Sequence, residues 1–161
     1  MKNVIAVYVE NVYGVLTRVT ALIVRRGFNI DTLTVGETDD PKYSRITITM
    51  EGDEYALNQI TNQLYKLHNV KKVKVLDNHA SVARELMLVK IRNTKENRSE
   101  IITATEIFRA KVIDYTPEAL TVEVTGESSK LNAFLDVMKP LGIVEMCRTG
   151  VVALERGENV L

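Results

Sequence analysis

Cys147 is the only cysteine in a chain of 161 residues. A lone thiol cannot close an internal disulfide or build a Cys-x-x-Cys metal or redox site. Lying in an apolar run, it is expected to be a small buried side chain. An excess of either charge is also missing: Lys+Arg and Asp+Glu are both 21, for a formal net charge of +0. Nucleic-acid binding draws on a basic surplus, which this chain does not have. No apolar stretch approaches the roughly 20 residues needed to cross a bilayer, so no membrane association is expected. Met1-Lys2-Asn3 leads straight into an apolar run, which argues against a signal peptide and for a reducing, cytoplasmic location. Aromatic residues make up 6%. RNA-binding sheets stack bases on aromatics of their central strands, and the candidates here are Tyr8 and Tyr43. His68 and His79 fall in no recognisable triad, and Glu10, Asp39-Asp40 and Glu96 have no metal-ligand spacing, so no catalytic residue and no metal site is expected. What the chain does have is 45% apolar residues, enough core for one medium domain or two small ones.

Taken in order, Val4 to Val9 is apolar on both faces and reads as a central, doubly covered strand. After Gly14, Val15, Leu16, Val19, Leu22 and Ile23 fall on one helical face. Arg25 and Arg26 suit the negative end of that helix, and Gly27 suits the position just past it. Asn29 to Val35 reads as a strand whose alternation slips, suggesting a bulge. Asp39-Asp40-Pro41-Lys42 is a turn, and Ile46, Ile48 and Met50 alternate as a half-buried strand. Asp53 caps a second helix with Leu57, Ile60, Leu64 and Leu67 inward, and Asn69 is expected to end it in the left-handed conformation. Val70, Val73 and Val75 form a strand protected at the edge by Lys71, Lys72 and Lys74.

The pattern then repeats beyond the polar link 77–81. Leu86 to Ile91 is a strand, Asn97 with Glu100 resembles a helix cap, 111–115 and Leu120 to Val124 are strands, and Ser128 or Ser129 opens a helix that ends before Pro140. Ile143 to Arg148 is the last regular strand, with Val151 to Leu154 as an extension. Two copies of one element order argue for tandem domains, 1–77 and 82–161. The fold class is α+β, two ferredoxin-like βαββαβ sandwiches, each with strand order 4-1-3-2. That order leaves the second strand on an open edge, which pairing between two chains would satisfy, so a symmetric dimer is expected. The open face of the sheet calls for a cover, from the second domain or from a partner.

One turn stands out: Glu10-Asn11-Val12-Tyr13-Gly14-Val15-Leu16. Backbone N–H groups at the start of a helix carry partial positive charge and lack intrahelical partners. Those of Gly14, Val15 and Leu16 could bind a carboxylate, with side-chain amides supplied by Asn11 and Asn29. Glycine before a helix is also an ordinary N-cap, and asparagine is common in turns. The residue types alone leave both readings open.

A wider pattern adds to this. Val9 to Arg18 with Arg26-Gly27-Phe28-Asn29-Ile30 resembles an ACT domain, a small-molecule sensor. Leu33-Thr34-Val35, Asp39 with Ser44-Arg45, 87–91, 105–109 and Arg148-Thr149-Gly150-Val151-Val152 extend the likeness, over nearly the whole chain, to the regulatory (small) subunit of acetohydroxyacid synthase, also called acetolactate synthase. The resemblance implies a non-catalytic chain that activates a separate catalytic large subunit and confers feedback inhibition by valine or another branched-chain amino acid. Thiamine diphosphate, FAD and Mg²⁺ would belong to that partner, with no cofactor in this chain. It also implies a homodimer through the ACT domain, with the effector at the interface near Asn11, Gly14, Val15, Leu16, Asn29 and Ile30. The family has a small residue or proline before the glycine, where this chain has Tyr13. The implied alternative is an amino-acid-sensing ACT protein serving a different enzyme. The second domain is expected to relay the effect, so that truncation after Asn78 would weaken the effector response and spare activation.

Overall fold

The computed structural model describes residues 2–161 and divides them into two compact units. One runs through Ala83 and includes Val151–Leu161; the other is Arg84–Gly150. This differs from the expected 1–77 and 82–161: the last eleven residues fold with the first unit.

The first unit contains β1 (Lys2–Glu10), α1 (Val15–Arg25), β2 (Thr32–Glu37), β3 (Tyr43–Glu51), α2 (Glu54–Leu64) and β4 (Val70–Leu76). The strands lie in the order β2-β3-β1-β4, all antiparallel. β1 is central because both of its faces are apolar. Ile5, Val7 and Val9 pack with Ile46, Ile48 and the inner residues Val19, Ile23, Ile60 and Leu64 of the helices. Each such side chain contributes about 1.5–3 kcal/mol on burial. Asp53 caps α2 as expected, its carboxylate accepting from the Ala56 N–H at 2.8 Å. Leu16 departs from expectation. It is exposed, because Val15, Val19 and Ile23 already fill the buried stripe of α1.

The other face of β1 is covered from within the same unit. Val4, Ala6 and Leu76 pack against Val151 and Ala153. β9 (Val152–Glu155) pairs with β5 (Ser81–Arg92), and the Arg156 N–H donates to Ala80 C=O at 2.8 Å. Polar groups on this face are met by the returning segment: Arg45 Nη2 donates to Ala153 O at 2.8 Å, and Lys74 pairs with Glu155 at 2.6 Å. The expected β2 bulge is absent from the β2–β3 register, because the irregular residues 29–31 precede the strand. The shift lies in β1 instead, between Tyr8 and Val9.

The second unit repeats the order with the rest of β5, α3 (Arg98–Ile107), β6 (Lys111–Tyr115), β7 (Ala119–Gly126), α4 (Ser128–Gly142) and β8 (Ile143–Arg148), in sheet order β6-β7-β5-β8. Its core joins Met87, Val89 and Ile91 to Ile101, Leu131, Phe134 and Met138. Three expectations need correction here. Cys147 is exposed, because β8 is an edge strand and Cys147 pairs with Leu88 on the face away from the core residues Met87 and Val89. Pro140 lies inside α4, near its end, rather than after it. Asn97 makes no side-chain cap; its amide donates to Arg92 O and Leu141 O instead.

Candidate functional site

Gly14 adopts φ +79, a left-handed conformation at the N-cap of α1 that glycine enters without steric cost. A β-carbon there would meet nothing within 4 Å, so open space lies beside the helix start. Tyr13 does not fill it: its side chain is fully exposed, at 102% of the reference. The Val15 N–H donates to Val12 O at 3.3 Å, and the Val15 side chain is buried. The N–H groups of Leu16 and Thr17 meet no acceptor among the described residues, leaving two donors in the positive field of the helix end.

Asn11, expected to offer its side-chain amide, has that amide engaged within the chain. Its Nδ2 donates to Glu37 Oε1 at 3.1 Å and to Pro41 O at 3.0 Å, while its backbone N–H donates to Lys42 O at 2.7 Å. Both side-chain hydrogens therefore tie the β1–α1 turn to the β2–β3 hairpin. Oδ1 is left as an acceptor, which suits an ammonium rather than a carboxylate. Glu37 and Pro41 are site-shaping residues that sequence reasoning missed, since no local pattern pairs them with a residue so far along the chain.

Asn29 and Ile30 lie past the other end of α1. Gly27 and Phe28 close the helix, with φ +79 at Gly27 and hydrogen bonds from Gly27 N to Val24 O and from Phe28 N to Ile23 O, a Schellman arrangement. The chain then turns, leaving Asn29 exposed while Ile30 packs on the core. Asn11, Gly14 and Leu16 are thus brought together, and Asn29 and Ile30 are not among them. The eleven residues of α1 hold the two groups about 16 Å apart.

A second network lies along α1. Asn69 is buried and not left-handed, contrary to expectation. Its side chain donates to Glu10 Oε2 at 2.6 Å and accepts from Arg18 Nη1 at 2.8 Å. Glu10 also pairs with Lys71 at 2.6 Å. The hydrogen bond from Lys71, then that from Asn69, holds the Glu10 carboxyl below the usual carboxylate range, and Glu10 in turn raises Lys71. Among the described residues no group of three His, Cys, Asp or Glu could hold a metal, and no helix is long and apolar enough to cross a membrane.

An open, glycine-led helix start on a βαββαβ unit, followed by a second such unit, invites comparison with known proteins. Residues 5–72 match the family model described as AHAS small subunit-like ACT domain, and residues 84–157 match the small subunit of acetolactate synthase. A probable acetolactate synthase small subunit from Methanothermobacter thermautotrophicus is 49% identical over 160 residues, 99% of this chain and 95% of that one. The chain belongs to the acetolactate synthase small-subunit family. The isozyme 3 small subunit of Escherichia coli is 47% identical, over 100% of this chain and 99% of its own. The crystal structure of the Thermotoga maritima small subunit superposes with a TM-score of 0.92 at 40% identity, covering 99% of each chain. In this small subunit all six candidate residues fall within the matched ACT segment.

Proposed function

We propose that this chain is the non-catalytic regulatory subunit of a cytoplasmic acetolactate synthase. It activates a catalytic large subunit and makes it sensitive to feedback by valine, or another branched-chain amino acid, bound between two ACT domains of a homodimer. In this reading thiamine diphosphate, FAD and Mg²⁺ stay with the large subunit. The observation that carries the proposal is the division of the site. Asn11, Gly14 and Leu16 lie at one end of α1, Asn29 and Ile30 at the other, so a small ligand touches both groups only if two chains supply them.

The free edge supports such pairing. β2 is an edge strand, Val35 on it is 43% exposed, and Leu16 and Val24, eight residues apart on α1, are 37% and 62% exposed. A two-fold axis beside β2 lays the two α1 helices antiparallel, placing the start of one beside the end of the other. The Leu16 and Thr17 N–H groups then take the carboxylate. Asn11 Oδ1 and the Asn29 amide take the ammonium, and Leu16 and Ile30 face the isopropyl group. Burying that group is worth about 1.5–3 kcal/mol and each charge-assisted hydrogen bond about 1.5–3 kcal/mol. Micromolar to millimolar affinity needs only about 4–8 kcal/mol. Feedback follows if the large subunit binds the liganded and free dimers with different affinity.

Thermal unfolding against a panel of amino acids tests this. Valine at about 100 times its dissociation constant adds about 2.7 kcal/mol to the folded state, seen as a higher melting temperature; glycine, serine and aspartate give less. Asn29→His removes the valine shift and spares activation of the large subunit. Gly14→Asp does the same at some cost in stability, because of the left-handed φ. An undiminished valine shift in Asn29→His would remove Asn29 from the site.

A further inference from the structure

The flank of α1 opposite the Leu16–Val24 stripe has no role in the reading above. Arg18, Leu22, Arg25 and Arg26 recur at i, i+4, i+7 and i+8 and so share one side of the helix. With Leu67, just past α2, they line a cleft of about 380 Å³, within the range of small-molecule sites. The chain as a whole carries no net charge, so three guanidinium groups on one cleft are a local concentration. Among the described residues none of the three pairs with a carboxylate. Arg18 donates to Asn69 Oδ1 at 2.8 Å, and Arg25 Nε to Ala21 O of its own helix at 3.2 Å.

The helix end accounts for part of this. Arg25 and Arg26 sit where the macrodipole favours cations, but Arg18 is in the first turns, where it does not. Arg18 is held in place by the buried Asn69, which is itself fixed by Glu10 at 2.6 Å. A guanidinium locked in advance loses little freedom when it binds a ligand, and its planar fork matches the oxygens of phosphate or carboxylate. Leu22 and Leu67 are half-buried and offer an apolar floor between the charges.

We propose that this cleft is a second ligand site, independent of the effector residues, for a multiply charged oxyanion with an apolar body, a phosphate ester or a polycarboxylate. A zwitterionic amino acid brings one carboxylate and an ammonium to three cations, so it is the wrong ligand for this cleft.

Inorganic pyrophosphate is the probe for the charged part of the site. Added to the full chain at constant ionic strength and at about ten times its dissociation constant, it should raise the melting temperature by on the order of 4 °C. The Arg25→Gln/Arg26→Gln double variant should lose that rise while keeping its circular dichroism spectrum. Arg18→Gln, which cuts the tether to Asn69, should lose most of it. A rise with citrate as well would admit polycarboxylates, and a rise with pyrophosphate alone would restrict the site to phosphate esters; the proposal stands in both cases. No rise in the unaltered chain, an equal rise with sodium chloride, or a rise that survives in the double variant would overturn it.

Discussion

The two units share an element order and a strand order, yet only the first keeps an opening where its first helix begins. In the first, a left-handed glycine with open space beside it starts α1. In the second, the corresponding turn is closed by its own side chains. Asn97 donates to Arg92 O and Leu141 O and accepts from the Thr94 N–H, while Asn93 donates to Thr116 O and accepts from Arg98 Nε. The ends of these helices differ too. Both close with the same pair of backbone hydrogen bonds, but the left-handed residue is Gly27 after α1 and Arg109, at φ 51, after α3. A repeated topology thus does not repeat the local geometry: the βαββαβ frame sets where a helix begins, and a few side chains decide whether that start is left open.

The largest effect that would sharpen this contrast concerns the cover of the first sheet. Deleting 151–161 removes Val151 and Ala153 from their contacts with Val4 and Ala6 and frees Arg45 and Lys74. One buried valine and two or three hydrogen bonds amount to about 4 kcal/mol. Denaturant unfolding should show that loss mainly in the first unit. The same result would revise the expected truncation after Asn78, since that cut also removes the cover and tests more than the absence of the second unit.

Next is the buried carboxylate of the second unit. Glu85 is 3% exposed and accepts from Arg148 Nε at 2.9 Å and Nη2 at 2.7 Å, and from Ser128 Oγ at 3.0 Å. Glu85→Ala strands Arg148 and should cost about 3 kcal/mol, read from the denaturation midpoint, with the melting-temperature shift proposed for valine unchanged. A loss of the valine shift would show that the units are not separable in this respect. Smaller still, Arg109→Gly should raise stability by about 1 kcal/mol by relieving the left-handed conformation, whereas Gly27→Arg should lower it by a similar amount. Equal effects of one sign would break the parallel between the two helix ends.

The smallest effect is a pH dependence confined to the first unit. The folded Glu10 carboxyl lies below its ordinary range because of Lys71 and Asn69. Its contribution is present above the ordinary carboxylate pKa and is lost as pH falls through the lowered folded value. The stability difference between the unaltered chain and Glu10→Gln should therefore shrink on acidification. Lys71 is raised by the same pair, so its share is full below its ordinary pKa and is lost in strongly alkaline solution.

Much of the fold was written in local pattern. Alternation marked the strands, the helical spacing of Val15, Val19 and Ile23 marked α1, and the doubly apolar β1 fixed its central place, because a strand with no polar face must be covered twice. Gly14 and Gly27 were legible as punctuation at the two ends of α1, because glycine enters the left-handed conformation at no steric cost, though Arg109 shows that another residue can be held there. Tertiary structure alone decided the rest. Asn11 is held by Glu37 and Pro41, and Asn69 bridges Glu10 and Arg18; side chains of these types have many possible partners until the chain has folded. Cys147 is exposed because β8 is an edge, and 151–161 cover the first sheet rather than extend the second unit. Local propensity says what a segment is, but which face it closes depends on the apolar surface left uncovered once everything else has packed.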